Sequence, residues 1–70
     1  MDKHIELVKK WLADPDSVTQ EELCQNSDAA EVADAYNAFV YFAAYAAAYD
    51  AVYDAVYWVK RYEALENDDE

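Results

Sequence analysis

A chain of 70 residues with no glycine and a single proline, Pro15, has almost no means of making tight turns. Glycine supplies the positive φ that many sharp reversals need, and proline sets the entry to many others. Long uninterrupted helices with few connections are what such a chain can form. The apolar pattern agrees. Ile5, Leu7, Val8, Trp11 and Leu12 recur at helical spacing, with Lys3, Glu6, Lys9 and Lys10 on the other side, which predicts an amphipathic helix over about residues 3–13. Asp14-Pro15-Asp16 ends it, because proline lacks an N–H and disfavours helical geometry in the residue before it. Residues 14–18 are then a turn.

A second helix begins with a full start signal. Thr19 and Glu22 form a capping box, and Val18 and Leu23 stand where a hydrophobic staple would. No glycine or proline follows, so the pattern predicts one long helix over about residues 20–65, about 70 Å at 1.5 Å per residue. Its weakest point is Gln25-Asn26-Ser27-Asp28, a cluster able to cap a new helix. Residues 66–70 read as a frayed acidic tail. The expected fold class is all-α, a short N-terminal helix hairpinned onto one long C-terminal helix.

Tyrosine occupies positions 41, 45, 49, 53 and 57, and alanine 43, 47, 51 and 55. A period of four exceeds 3.6, so each stripe drifts about 40° per repeat and cannot stay on one face. Two seams result, one through Tyr41, Tyr45, Ala48 and Val52, the other through Phe39, Phe42, Tyr49 and Tyr53. A first helix of about 18 Å cannot cover both. A domain of this size also buries too little of its surface to be firmly stable alone. These eight residues are therefore expected to form the interface of a homodimer or larger oligomer. The alanine stripe either lets helices approach closely or reflects plain helix propensity.

Sixteen acidic against five basic residues give a net charge of −11, and residues 14–70 alone carry −12. Such a balance argues against direct nucleic-acid or anionic-lipid binding and favours a partner with a basic surface. One His and one Cys cannot supply a zinc site, and no cofactor is expected. Residues 38–59 are long enough to cross a bilayer, but Asp50 and Asp54 would each cost about 2.5–3.5 kcal/mol near its centre. The opening Met-Asp-Lys-His has no apolar segment behind a basic one, and the free thiol fits a reducing compartment, so a cytoplasmic location is expected.

Asp50 and Asp54 stand at i and i+4 and would share a face of the long helix, as paired carboxylates do in acid–base or metal sites. With no nucleophile, histidine or pocket beside them, they read as a wet face or as contacts for a basic partner, and no catalytic residue is assigned. The partner-binding residues expected are Asp50, Asp54 and Tyr57, with Asp28, Glu31 and Asp34 as a second acidic patch about 25–30 Å away along the helix. Cys24 is expected to fill a small apolar site, and His4 to be solvated. Trp11 should anchor the first helix to the second, and Trp58 should lie at an exposed end flanked by Tyr57, Lys60 and Arg61.

The segments His4-Ile5-Glu6-Leu7-Val8-Lys9-Lys10-Trp11-Leu12, Val18-Thr19-Gln20-Glu21-Glu22-Leu23 and Trp58-Val59-Lys60-Arg61-Tyr62-Glu63, with the Ala/Tyr/Asp repeats between, resemble short alanine/tyrosine-rich helical repeat proteins of tailed, T4-like bacteriophages. The resemblance implies action in the cytoplasm of an infected bacterium, where small acidic proteins block host defence or nucleic-acid enzymes. It carries no catalytic residue over. The leading expectation is an inhibitor that occupies a basic surface of a bacterial host protein, as a partial DNA mimic. A self-assembling structural protein is the alternative, its acids serving only solubility. A helical oligomer that sequesters a small ligand between its tyrosines is the third.

Overall fold

The computed structural model describes residues 2–33 and 38–66, and among these every regular element is helical: α1 (Lys3–Ala13), α2 (Gln20–Ala33), α3 (Ala38–Ala48) and α4 (Val52–Glu66), with one 3₁₀ turn at Pro15–Ser17. The all-α expectation holds. Asp2 opens α1 by accepting the His4 N–H at 2.8 Å. Asp14 closes it in extended geometry, its own N–H bonded to the Lys10 carbonyl at 2.9 Å. The capping box forms as expected. The Glu22 N–H donates to Thr19 Oγ1 at 3.1 Å, and the Thr19 N–H donates to Glu22 Oε1 at 2.9 Å. The Thr19 N–H, and after it the Thr19 hydroxyl donating to the same carboxylate oxygen at 3.1 Å, hold the Glu22 carboxyl below its ordinary range. The staple residues Val18 and Leu23 are both buried.

The single long helix is not what forms. α3 ends at Ala48 and α4 begins at Val52, with Tyr49, Asp50 and Ala51 making a tight reversal. Its geometry is a Schellman cap. The Ala51 N–H returns to the Ala46 carbonyl at 2.9 Å and the Asp50 N–H to that of Ala47 at 3.0 Å, which places Asp50 at φ 60. That left-handed position usually takes glycine, but aspartate is among the few other residues that enter it. Here Asp50 does glycine's work, so a chain without glycine still folds back on itself. The expected weak point at Gln25-Asn26-Ser27-Asp28 lies instead inside the continuous α2. The connection after Ala33 falls on residues 34–37, outside the described residues.

Contacts between the helices fix their directions. Gln20, at the start of α2, bonds through its side-chain amide to the carbonyl of Ala48 at the end of α3, so these two run antiparallel. Phe42 and Phe39 of α3 both stack on Trp58 of α4, with centroids 4.8 and 5.3 Å away, while Ala46 and Ala51 meet at the turn end. Lys9 of α1 pairs with Glu63 of α4 at 2.7 Å, and Leu12 and Ala13 lie beside Val56. The result is an up-down-up-down bundle in which α1 and α3 meet across the middle, while α2 and α4 do not touch. Alanine explains the flattening. Ala43, Ala44 and Ala47 of α3 are fully buried, and side chains that small let three helices close on α3 at once. Ile5, Val8 and Trp11 of α1, three residues apart, complete the core with Val40, Ala55, Val59 and Tyr62. The radius of gyration, 11.1 Å, equals the value of about 11 Å expected for a folded chain of this length. The seams are thus partly covered from within the chain, by the α4 segment that the long-helix reading left extended.

His4, expected in solvent, is buried. Asn26 of α2 holds it twice, donating from Nδ2 to the His4 carbonyl at 3.2 Å and placing Oδ1 2.8 Å from His4 Nδ1. A carbonyl can only accept, so the amide's orientation is fixed and Nδ1 must carry the proton. Asn26→Ala strips the acceptor from that buried N–H and the donor from the carbonyl. The expected cost is about 1–3 kcal/mol, read as a lowered urea midpoint with an unchanged slope.

Candidate functional site

Four consecutive tyrosines of the repeat, at 45, 49, 53 and 57, remain exposed, with Tyr53 91% accessible. Phe42 and Val52 join them at the surface. A period of four placed these exposed rings on α3, in the turn and along the start of α4. Tyr45 and Tyr49 pack together with centroids 4.6 Å apart, and Tyr41 follows at 5.6 Å from Tyr45. These rings form a ridge between two grooves. On one side, between α2 and α3, a groove of about 420 Å³ is lined by Cys24, Ser27 and Asp28 opposite Tyr41, Tyr45 and Tyr49. On the other, a cleft of about 230 Å³ between α3 and α4 is lined by Phe42, Tyr45, Tyr49, Asp54 and Trp58.

The phenols of Tyr41 and Tyr45 are held in their neutral form. Hydrogen bonding to the Tyr49 side chain raises Tyr45 above its ordinary range, followed by the charge of Tyr49 and by burial. For Tyr41 burial is the larger cause, followed by the negative charge of Glu31, of Tyr49 and of Asp28. Acids of α2 therefore act across the first groove on Tyr41 of α3.

The structure rearranges the expected contact residues. Asp50 and Asp54 do not share a helical face: Asp50 sits in the turn and Asp54 in the first turn of α4, both exposed. Tyr57 is exposed and meets Trp58 edge-on at 4.8 Å. Asp28 and Glu31 are exposed on α2, and Asp34 lies outside the described residues. The separation expected along one helix no longer applies, because the chain folds twice between the patches. Asp28 now lines the groove on one flank of the tyrosine ridge and Asp54 the cleft on the other. Of the residues expected at an oligomer interface, Phe42, Tyr45, Tyr49, Val52 and Tyr53 are exposed, and Phe39, Tyr41 and Ala48 are half-buried.

Three further expectations change. Cys24 is exposed rather than filling an apolar site. Trp58 is half-buried against Phe39 and Phe42 rather than at an exposed end; Tyr57 does flank it, and Arg61 lies over the rings of Phe39 and Tyr57, at 5.6 and 5.9 Å. Glu66, assigned to the tail, is the last residue of α4 and accepts the Tyr62 hydroxyl at 3.0 Å. Ser27 has no counterpart in the expected site, since its cluster reads in sequence as a cap. It is buried, it lines the first groove, and its hydroxyl has no hydrogen-bond partner among the described residues. The same residues hold no cluster of three or more metal-ligating side chains and no helix long and apolar enough to cross a membrane. Compared with protein-family models, curated proteins and solved structures, the chain matches none.

Proposed function

We propose that this protein is a binding module that occupies a basic surface of another protein, and that the contact is the tyrosine ridge with its two acidic flanks. The observation that carries the reading is the union of Asp28, Tyr45, Tyr49 and Asp54 on one side of the bundle, residues far apart in a simple extended chain. Exposed tyrosines supply rigid, amphipathic contact area at low entropic cost, and acids around them steer a basic partner into place. The resemblance to phage proteins makes a bacterial host protein the target, with inhibition as the consequence. Folding back also concentrates charge. A net −11 over the 37 Å long axis is one charge per about 3.4 Å, against one per about 1.7 Å for duplex DNA, so a single copy supports partial mimicry.

Charge reversal on both flanks, Asp28→Lys with Asp54→Lys, should slow association about tenfold and flatten its salt dependence, with helicity unchanged. Asp50 is left alone because its backbone conformation would confound the result. Retention of a basic bacterial protein at low salt, measured with the parent and the double variant, is the test. If the variant inhibits its target as well as the parent, the reading fails. Self-assembly is favoured by a different observation, the run of exposed apolar side chains Phe42, Val52 and Tyr53. Sedimentation equilibrium separates the two, since a stable monomer removes self-assembly.

A further inference from the structure

We propose that the groove between α2 and α3 is a receptor for an arginine side chain presented by the basic partner. The inference rests on the binding reading above and names the chemistry that one part of the surface recognises. Three features of the groove point to a guanidinium. One wall is a ladder of three tyrosine rings, Tyr41, Tyr45 and Tyr49, whose π faces attract a cation. The opposite wall carries acceptors, the exposed Asp28 carboxylate and the buried Ser27 hydroxyl, which is 6% accessible and unpartnered among the described residues. Among the described residues no cationic side chain lines the groove, and the amide of Gln20 is spent on the Ala48 carbonyl. An apolar ligand would leave those acceptors unused, and an anion would meet Asp28.

Arginine suits this lining better than lysine. Its planar fork can stack on a tyrosine ring while donating sideways to a carboxylate and a hydroxyl, whereas an ammonium is a strongly hydrated point charge. The same bundle already seats one guanidinium over aromatic rings, that of Arg61 over Phe39 and Tyr57. The negative field of Glu31 and Asp28 that acts on Tyr41 reaches the same groove. Its volume, about 420 Å³, falls at the low end of the roughly 300–1,000 Å³ of ligand pockets and admits one side chain rather than a folded element.

Three capped tripeptides, Gly-Arg-Gly, Gly-Lys-Gly and Gly-citrulline-Gly, titrated into the isotope-labelled full chain at low salt, test this by NMR. The arginine peptide should give saturable shifts at Ser27, Asp28 and Tyr45, lysine at least fivefold weaker binding, and citrulline none. Tyr45→Leu, a surface change, should weaken the arginine peptide at least fivefold, and Ser27→Ala should narrow its advantage over lysine. Equal shifts from arginine and lysine spread over all the acids would overturn the proposal, as would undiminished binding to Tyr45→Leu. If the peptide binds but no basic bacterial protein is retained, the partner reading fails and the groove stands. If a protein is retained and the peptide does not bind, the groove alone is wrong.

Discussion

Trp11→Ala is expected to remove about 3–5 kcal/mol of the protein's stability and to lower its urea midpoint steeply. Trp11 is the largest side chain that α1 contributes to the core and is 5% exposed. Removing a buried tryptophan to alanine costs about 3–5 kcal/mol through lost transfer energy and the cavity that remains. A domain of 70 residues has a total stability of about 3.5–10 kcal/mol, so that loss takes up much or all of it. The surface ion pair between Lys9 and Glu63, with both side chains part-exposed, adds too little to compensate. Urea denaturation followed by circular dichroism is the measurement. A midpoint within error of the parent's would mean that α1 is not part of the cooperative unit, and with it the four-helix core would be wrong.

The sequence legibly marked the elements that rest on local chemistry. α1, its stop at Pro15, the capping box at Thr19 and the staple of Val18 with Leu23 depend on residues within five positions of one another, so their pattern is visible in the string. The turn at Asp50 was not legible, because its signal is the absence of an obstacle. Asp50 tolerates φ 60, and nothing nearby announces that it will adopt it; what selects the turn is the gain when α3 and α4 pack together. A clue was present in the tyrosine and alanine stripes. A period of four that drifts off one face needs two neighbours, and the chain's own last third, α4, supplies one of them. His4 and Asn26, 22 residues apart, became partners only through the α1–α2 hairpin, so neither could be read alone. The candidate site suffered and gained from the same fold. Asp28 and Asp54 were each identified as contact residues, but their shared ridge depends on two reversals, and Ser27 was hidden inside a cluster that resembles a helix start.

The paired substitutions Ala47→Asp and Tyr53→Asp should separate the folded bundle from an extended helix that dimerises, because the two arrangements rank them in opposite order. Ala47 is fully buried on α3, which packs against all three other helices. A carboxylate there enters a cluster of apolar side chains, and burying a polar group without a partner costs several kcal/mol even if it takes up a proton. Ala47→Asp should therefore abolish cooperative unfolding. Tyr53 is 91% exposed at the start of α4, and its loss removes almost no buried surface. Tyr53→Asp should stay within about 0.5 kcal/mol of the parent, the usual range for surface changes. In an extended dimer Tyr53 belongs to the interface seam, and the same change would dissociate the assembly and unfold a chain that depends on it. Circular dichroism melts of both variants, with sedimentation of Tyr53→Asp, decide between the two. A folded Ala47→Asp beside an unfolded Tyr53→Asp would reverse the assignment of the core and remove the tyrosine ridge as a free surface.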